Sequence, residues 1–282
     1  MFTLKVENGR GEVLNLSSSK KYKVYRIEGL NPPVATINSA VNVTTDGSTV
    51  NSTKVENRNI VIYMTIEPDI ELNRINLYKY FPVKQKIKLH YTNGTRKVYI
   101  EGYVELIECD LFAQRQVAQI SIICPQPYFS GAEYLVTTFS DVSSFLHFPF
   151  AISESGIEFS AITTNVRKSI INYGDADSGI VIELYARGTV VNPVIYDVES
   201  KTFFKLNFTM QSSDTIVINT NVGEKSVTLI RNGVSTNAMG YMTPDSSWFR
   251  LEAGDNIFTY DCDSGNSSLQ ITFKTKVLYS GV

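Results

Sequence analysis

Apolar and polar residues alternate with a period of two along most of this chain, the mark of half-buried β-strands. Residues 2–7 and 12–16 alternate on either side of Asn8-Gly9, a dipeptide that signals a hairpin. Residues 22–28 alternate again, with Tyr22, Val24 and Arg26 on one face and Tyr25 and Ile27 on the other. Residues 60–66 are almost continuously apolar and predict a strand buried on both faces or nearly so. Residues 85–91 and 97–107 predict strands joined through Thr92-Asn93-Gly94-Thr95. In the second of these, Val98, Ile100, Gly102, Val104 and Leu106 share one face, and Tyr99, Tyr103 and Ile107 the other. Residues 116–124 complete the group. One stretch has helical spacing: Ile70, Arg74, Leu77, Tyr78 and Phe81. Pro68 suits its first turn, Glu67, Asp69 and Glu71 suit the positive end of the helix dipole, and Pro82 stops it.

Between the third and fourth of these segments lies a long polar stretch, Asn38 to Asn59, containing Asp46-Gly47-Ser48. It has no continuous apolar face and predicts a loop or a long hairpin that finds its contacts elsewhere, for example on a neighbouring subunit. Cys124-Pro125-Gln126-Pro127-Tyr128-Phe129-Ser130-Gly131 is stiffened by two prolines, and a domain boundary is placed there. Beyond it, short strands recur at regular spacing: 134–139, 157–164, 168–173, 179–186, 193–197, 202–210, 214–219, 225–231, 247–251, 256–261 and 267–278. Turn signals such as Val222-Gly223-Glu224, Asn232-Gly233 and Ser264-Gly265-Asn266 separate them. The expectation is a mainly β protein of two domains, 1–130 with one helix and 131–282 an antiparallel sandwich.

Composition agrees. Hydrophobic residues make up 43% and charged residues 19%, which is enough apolar surface for a core and argues against wholesale disorder. The net charge of -2 excludes a strong general pull toward nucleic acid. That charge is uneven: residues 1–130 hold 16 Lys+Arg against 12 Asp+Glu, and residues 131–282 hold 10 against 16. Lys20-Lys21-Tyr22-Lys23 and Lys84-Gln85-Lys86-Ile87-Lys88 read as solvated strand faces, edge protection or a subunit contact. Cys109, Cys124 and Cys262 are odd in number and widely spaced, so they are expected as free thiols in a reducing compartment. If 98–108 and 116–124 pair about a turn near Leu111–Phe112, Cys124 falls opposite roughly Glu101 and not Cys109. The opening Met1-Phe2-Thr3-Leu4-Lys5 carries no basic-then-apolar leader, and no stretch approaches the roughly 18 apolar residues of a membrane helix.

Candidate chemistry is thin. His90 and His147 fall in different expected domains and supply neither a zinc site nor a Ser-His-Asp triad. Asp261-Cys262-Asp263-Ser264-Gly265-Asn266 has the alternating acids of a calcium loop, but it lacks the closing glutamate and flanking helices of an EF-hand. Asp175 and Asp177, between Gly174 and Gly179, read the same way, as turns. Trp248, in Ser246-Ser247-Trp248-Phe249-Arg250, is the one candidate for stacking on a sugar; a core or interface aromatic is the default. No catalytic residue, cofactor or metal ligand is assigned, and the chain is expected not to be an enzyme.

In order along the chain, several segments resemble one family. They are Asp46-Gly47-Ser48 followed by Asn57-Arg58-Asn59 and the strand Ile60–Ile66; the helix near Pro68–Phe81; Tyr99-Ile100-Glu101-Gly102-Tyr103-Val104; and Ile120-Ser121-Ile122-Ile123-Cys124-Pro125-Gln126-Pro127-Tyr128-Phe129. Further on come Asn172-Tyr173-Gly174-Asp175, Asn192-Pro193-Val194-Ile195-Tyr196-Asp197, Asp214-Thr215-Ile216-Val217-Ile218-Asn219-Thr220, and Ser247-Trp248-Phe249-Arg250-Leu251 with Gly254-Asp255-Asn256. Together they resemble the distal tail proteins of long-tailed phages, the siphovirus-type tail component family. One departure is Gln126, where the family often has Asp. The resemblance implies a belt domain, 1–130, that closes into a hexameric ring around a channel, and a galectin-like β-sandwich, 131–282, outside it. The ring would be a hub joining the tail tube to the tip or baseplate in the virion, assembled in the host cytoplasm. Implied partners are the major tail tube protein, the tape measure protein, the tail-associated tip protein and a receptor-binding protein. DNA would pass through the channel without specific binding, and no membrane insertion is implied. Asp46, Gly47, Ser48 and Arg58 are then assigned to the contact between subunits. The alternative is a carbohydrate-binding module for host-surface glycans, resting on Trp248.

Overall fold

The computed structural model describes residues 2–42, 46–113, 116–144, 160–164 and 167–282. The chain divides into two compact units, one of residues 1–132 with 278–282, the other of residues 133–277.

In the first unit the chain forms β1 (Thr3–Glu7), β2 (Val13–Asn15), β3 (Tyr22–Glu28), β4 (Ala35–Val41), β5 (Ser48–Val55), β6 (Arg58–Ile66), the helix α1 (Ile70–Tyr80), β7 (Lys86–Thr92), β8 (Lys97–Cys109), β9 (Val117–Cys124) and the start of β10 (Phe129–Thr138). An antiparallel sheet runs β2-β1-β7-β8-β9-β6-β3. One face of it is apolar because strand side chains alternate: Leu4 and Val6, Ile60, Ile62 and Met64, Ile87 and Leu89, Val98 and Ile100, and Ile120 and Ile122 are all buried together. Val61 and Tyr63 are only half-buried, so β6 is more one-sided than its apolar run suggests.

Two local features stand out. The Asn8-Gly9 hairpin has a five-residue connection in which Asn8 Oδ1 accepts from the backbone N–H of Arg10 and of Glu12, both at 3.0 Å. The left-handed residue there is Gly11, not Gly9. In β8 a bulge between Val104 and Leu106 shifts the register against β9. The extra residue rotates Leu106 off the core face, where simple alternation had put it, and leaves it exposed. Cys124 consequently lies beside Gly102, one residue from the expected Glu101, and all three cysteines are free.

The helix starts later than Pro68. Asp69 sits in the left-handed region at φ 67° as its N-cap, which leaves Glu71 as the acid of the first turn. Its inward face is Asn73, Leu77 and Phe81, an i, i+4, i+8 row. Tyr78, which the apolar spacing placed inward, is exposed. Asn73 is accommodated because its Nδ2 donates to Pro68 O at 2.7 Å, and its backbone carbonyl accepts from Tyr22 Oη at 2.9 Å.

The second unit continues with β11 (Ser140–Ser144), β12 (Ser160–Thr164), β13 (Arg167–Asn172), β14 (Ile180–Ala186), β15 (Val190–Val191), β16 (Val194–Asp197), β17 (Thr202–Lys205), β18 (Thr209–Met210), β19 (Thr215–Asn219), β20 (Ser226–Arg231), β21 (Val234–Asn237), β22 (Gly254–Asp261) and β23 (Leu269–Tyr279). One antiparallel sheet runs β23-β14-β19-β20-β21 and another β13-β22-β16-β17. Their inward residues form one core, in which Phe139 meets Tyr260 edge-on and Phe258 packs on Phe249 and Phe273. The predicted strand 202–210 is split, because Asn207 N–H leaves the ladder to donate to Tyr241 O. Residues 247–251 form no strand, only an isolated bridge from Leu251 to Ser178. The strand β21 follows the Asn232-Gly233 turn.

Candidate assembly surface

The polar segment Asn38–Asn59 is resolved into a hairpin. β4 and β5 pair with each other from Ala35↔Val55 to Val41↔Ser48, with an irregularity at Asn38/Ser39, and, among the described residues, with no other strand. Every residue of β4 is exposed, and every residue of β5 except Val55. Asp46 and Gly47 lie in the turn and Ser48 opens β5; Gly47 has φ 94°, a conformation that only glycine adopts without strain. Val34 (80% exposed), Ile37, Val41 (80%) and Val50 are displayed to solvent. A two-stranded hairpin with no packed face is marginal in water.

Arg58 lies elsewhere in the arrangement. It is only 3% exposed and faces inward. Its guanidinium donates to four backbone carbonyls: Pro127 O at 2.6 Å, Asn31 O at 2.7 Å, Ser280 O at 2.6 Å, and Gly29 O. The group also stacks on the Phe129 ring, 4.7 Å from its centroid. Burial pulls its pKa below the ordinary arginine value. Gly29–Asn31 leads into β4, and Arg58 itself follows β5, so this side chain ties down both feet of the hairpin from inside. Nearby, Arg96 donates to Gly281 O and stacks on Tyr279, and Val282 N–H donates to Leu30 O, which fastens the segment 278–282 to the same unit. The same burial pushes the Cys124 thiol up to about 12, so it is not a reactive thiolate at neutral pH.

The remaining sequence candidates are dispersed. Trp248 is half-buried, edge-on to Phe204 with centroids 5.3 Å apart, and Lys225 Nζ lies 5.5 Å from the centre of its ring. In the Asp261–Asn266 turn, Asp261 Oδ1 accepts from Cys262 N–H and Asp263 Oδ2 accepts from Asn192 Nδ2 at 2.7 Å, so these acids point at protein donors. The Gly174–Gly179 turn is closed by Asn172, which accepts from Gly174 N–H and donates to Ala176 O. His147 lies outside the described residues. His90 Nε2 is 2.9 Å from Glu7 Oε2 at the edge of an open groove of about 460 Å³ lined by Thr3, Lys5, Thr92 and Lys97. The lining brings no Ser, Cys or second carboxylate to that histidine. Among the described residues no group of three or more His, Cys, Asp or Glu is placed to hold a metal, and no helix is long and apolar enough to cross a membrane.

Sequence periodicity missed further exposed apolar residues, Leu72 and Ile75 on α1 and, at the β8–β9 turn, Leu111 and Phe112. The signal was available: the row Asn73, Leu77, Phe81 is the true inner face once Asn73 is allowed inside.

Comparison with known proteins matches residues 173–276 to the siphovirus-type tail component, C-terminal domain. The resemblance drawn from the sequence is borne out over that segment. No curated protein sequence matches the chain. Among solved structures, the Dit protein of phage SPP1, described as a paradigm of the hub adsorption apparatus in Gram-positive-infecting phages, is similar with TM-score 0.70 at 10% identity, covering 98% of each chain. Chains of the phage P2 baseplate in its activated conformation, with Ca and with Sr, are similar with TM-scores of 0.58 and 0.57 at 12% identity, again covering 98% of each chain. At these identities the likeness is one of fold, and it bears out the mainly β architecture.

Proposed function

We infer that this chain, whose residues 173–276 carry the C-terminal domain of the siphovirus-type tail component family, is a structural part of a phage tail tip or baseplate and acts as its hub. The carrying observation is the β4–β5 hairpin, which among the described residues pairs with no other strand and displays apolar residues along it. Such an arm is explained by a neighbouring copy. Copies related by a heterologous contact close into a ring when the rotation permits. In this reading residues 1–130 form the ring-closing belt, six copies surround the channel, and residues 131–282 form the galectin-like sandwich. Asp46, Gly47 and Ser48 shape the tip of the arm that reaches the neighbour, and Arg58 serves the contact indirectly by fixing the arm's feet. The tail tube, tape measure, tail-associated tip and receptor-binding proteins are the partners of such a hub, DNA crosses its channel without specific binding, and its place is the virion tail after assembly in the host cytoplasm. The role is non-enzymatic.

Replacing residues 36–54 by a short Gly-Ser turn is the test. The expected product is a folded monomer with unchanged far-UV circular dichroism apart from the lost hairpin. Light scattering that finds intact rings of the deletion variant would refute the arm's role.

A further inference from the structure

The first unit is not continuous in sequence. It is completed by residues 278–282, which the chain reaches only after all of residues 133–277. β23 ends at Tyr279, so Ser280, Gly281 and Val282 lie beyond its ladder. They are seated through backbone groups: Arg58 donates to Ser280 O at 2.6 Å, Arg96 donates to Gly281 O, and Val282 N–H donates to Leu30 O at 3.1 Å. The Arg96 guanidinium lies 4.4 Å from the centre of the Tyr279 ring, and Tyr279 and Val282 pack against the core of the unit. Gly281 is buried against the chain that leads into β4: a Cβ there would come within 3.1 Å of Pro32 Cδ and 3.2 Å of Leu30 O. The seat therefore accepts a bare backbone. It is also one foot of the β4–β5 hairpin, where Gly29, Leu30 and Asn31 use three consecutive carbonyls, the outer two on Arg58 and the middle one on Val282 N–H. Gly29 packs on the other foot, since a Cβ there would collide with Asn59 O.

We propose that residues 278–282 are a clasp: by closing on Gly29–Asn31 they fix the feet of the β4–β5 hairpin, so that the hairpin is ordered only once the second unit has been made. The sheet of the first unit does not wait for them. Its buried core residues run from Leu4 to Phe129 and are all present before residue 133. The feet do wait, because one guanidinium holds the foot through Gly29 O and Asn31 O and the clasp through Ser280 O, and because Leu30 O takes its donor from Val282. At about 5–20 residues per second, synthesis of residues 133–277 imposes a delay on the order of ten seconds. A hairpin free at its feet has no packed face and frays in that interval. In the finished chain the clasp is also the first part of the unit to open, since a short segment held by a few hydrogen bonds parts at lower cost than a packed sheet. The proposal concerns a single chain and does not draw on the assembly reading above.

The experiment is hydrogen exchange read by mass spectrometry on three chains: wild type, a deletion of residues 278–282, and full-length Gly281→Val. The valine leaves every residue of the feet in place and crowds the seat at Leu30 and Pro32. The reporters are the β4–β5 ladder and Glu56, whose N–H donates to Val34 O across the base of the hairpin. The expected result in both variants is exchange at these reporters that quickens by at least about tenfold more than in β6 and β9, with β14 and β19 unchanged. Reporters that keep wild-type protection in Gly281→Val or in the deletion overturn the clasp's hold on the hairpin. Loss of protection in β6 and β9 in step with the reporters, or a deletion chain that does not fold, overturns the claim that the sheet forms ahead of the clasp.

Discussion

Replacing Arg58 by methionine keeps the apolar length of the side chain and removes the guanidinium. Four carbonyls then lose their donor. The bond to Pro127 O is buried, and the bonds to Gly29, Asn31 and Ser280 are partly open to water. A buried acceptor left unpaired costs about 1–3 kcal/mol, and one that water reaches costs less, about 0.5–1 kcal/mol each. Loss of the contact with Phe129 adds about 0.5–1 kcal/mol. Against this, the variant no longer has to desolvate a cation, the effect that lowers the Arg58 pKa. The balance is a destabilisation of about 3 kcal/mol. For a unit of this size that is a drop in melting temperature of roughly 10 °C. Arg58→Lys is expected to recover less than half of the loss, because one ammonium cannot span four carbonyls that a planar fork reaches. The assay is differential scanning calorimetry of the full chain with both variants, resolving the transition of residues 1–132. A methionine variant that melts within about 2 °C of wild type refutes the role given to this side chain. Hydrogen exchange supplies a second readout: in R58M the amides of residues 29–31 and 278–282 exchange faster, while those of β14 and β19 do not.

In the second unit, Arg231 binds Asp214 through two bonds of 2.8 and 2.6 Å, and Asp214 also accepts from Gln211 N–H. The hydrogen bonds from Arg231 hold the Asp214 carboxyl below the usual carboxylate range. Its stabilising contribution is therefore complete above the unfolded value of about 3.9 and is lost as pH falls through the lower folded value. Asp214→Asn should destabilise by about 2–3 kcal/mol at pH 7, discounted because Arg231 is a third exposed, and should flatten the fall in melting temperature below pH 4; an unchanged acid profile would contradict it. Gly102→Ala places a Cβ 2.7 Å from both Cys124 Sγ and Ile122 Cγ2, so it should cost about 1–3 kcal/mol by urea unfolding, with partial rescue by Cys124→Ala. A neutral G102A would mean that β8 and β9 can part more easily than their packing implies. Trp248→Ala should lower the stability of the second unit by removing its contact with Phe204, without loss of any glycan-array signal; a glycan signal that disappears with the indole would revive the carbohydrate-binding alternative.

Some of this protein was written plainly along its chain. Strand alternation is a local property, and turn dipeptides such as Asn232-Gly233 act within four residues, so the mainly β character and most strands could be read directly. The Pro68–Pro82 bracket located the helix for the same reason. Features that depend on partners far along the chain could not be read. The bulge that turns Leu106 outward depends on how β8 pairs with β9. The inward place of Asn73 depends on carbonyls at Pro68 and a hydroxyl at Tyr22, neither visible to a count of apolar spacings. The family resemblance assigned Arg58 to a subunit contact, and nothing local in Asn57-Arg58-Asn59 shows its burial, which required carbonyls from residues 29, 31, 127 and 280 to converge on it. Residues 278–282 returned to the first unit by way of bonds donated by Arg58 and Arg96 and one accepted by Leu30 O, which span up to 252 positions of sequence. Local patterns select the elements; whether a given side chain ends inside, outside or waiting for a neighbour is decided by which distant backbone groups remain to be satisfied once those elements pack.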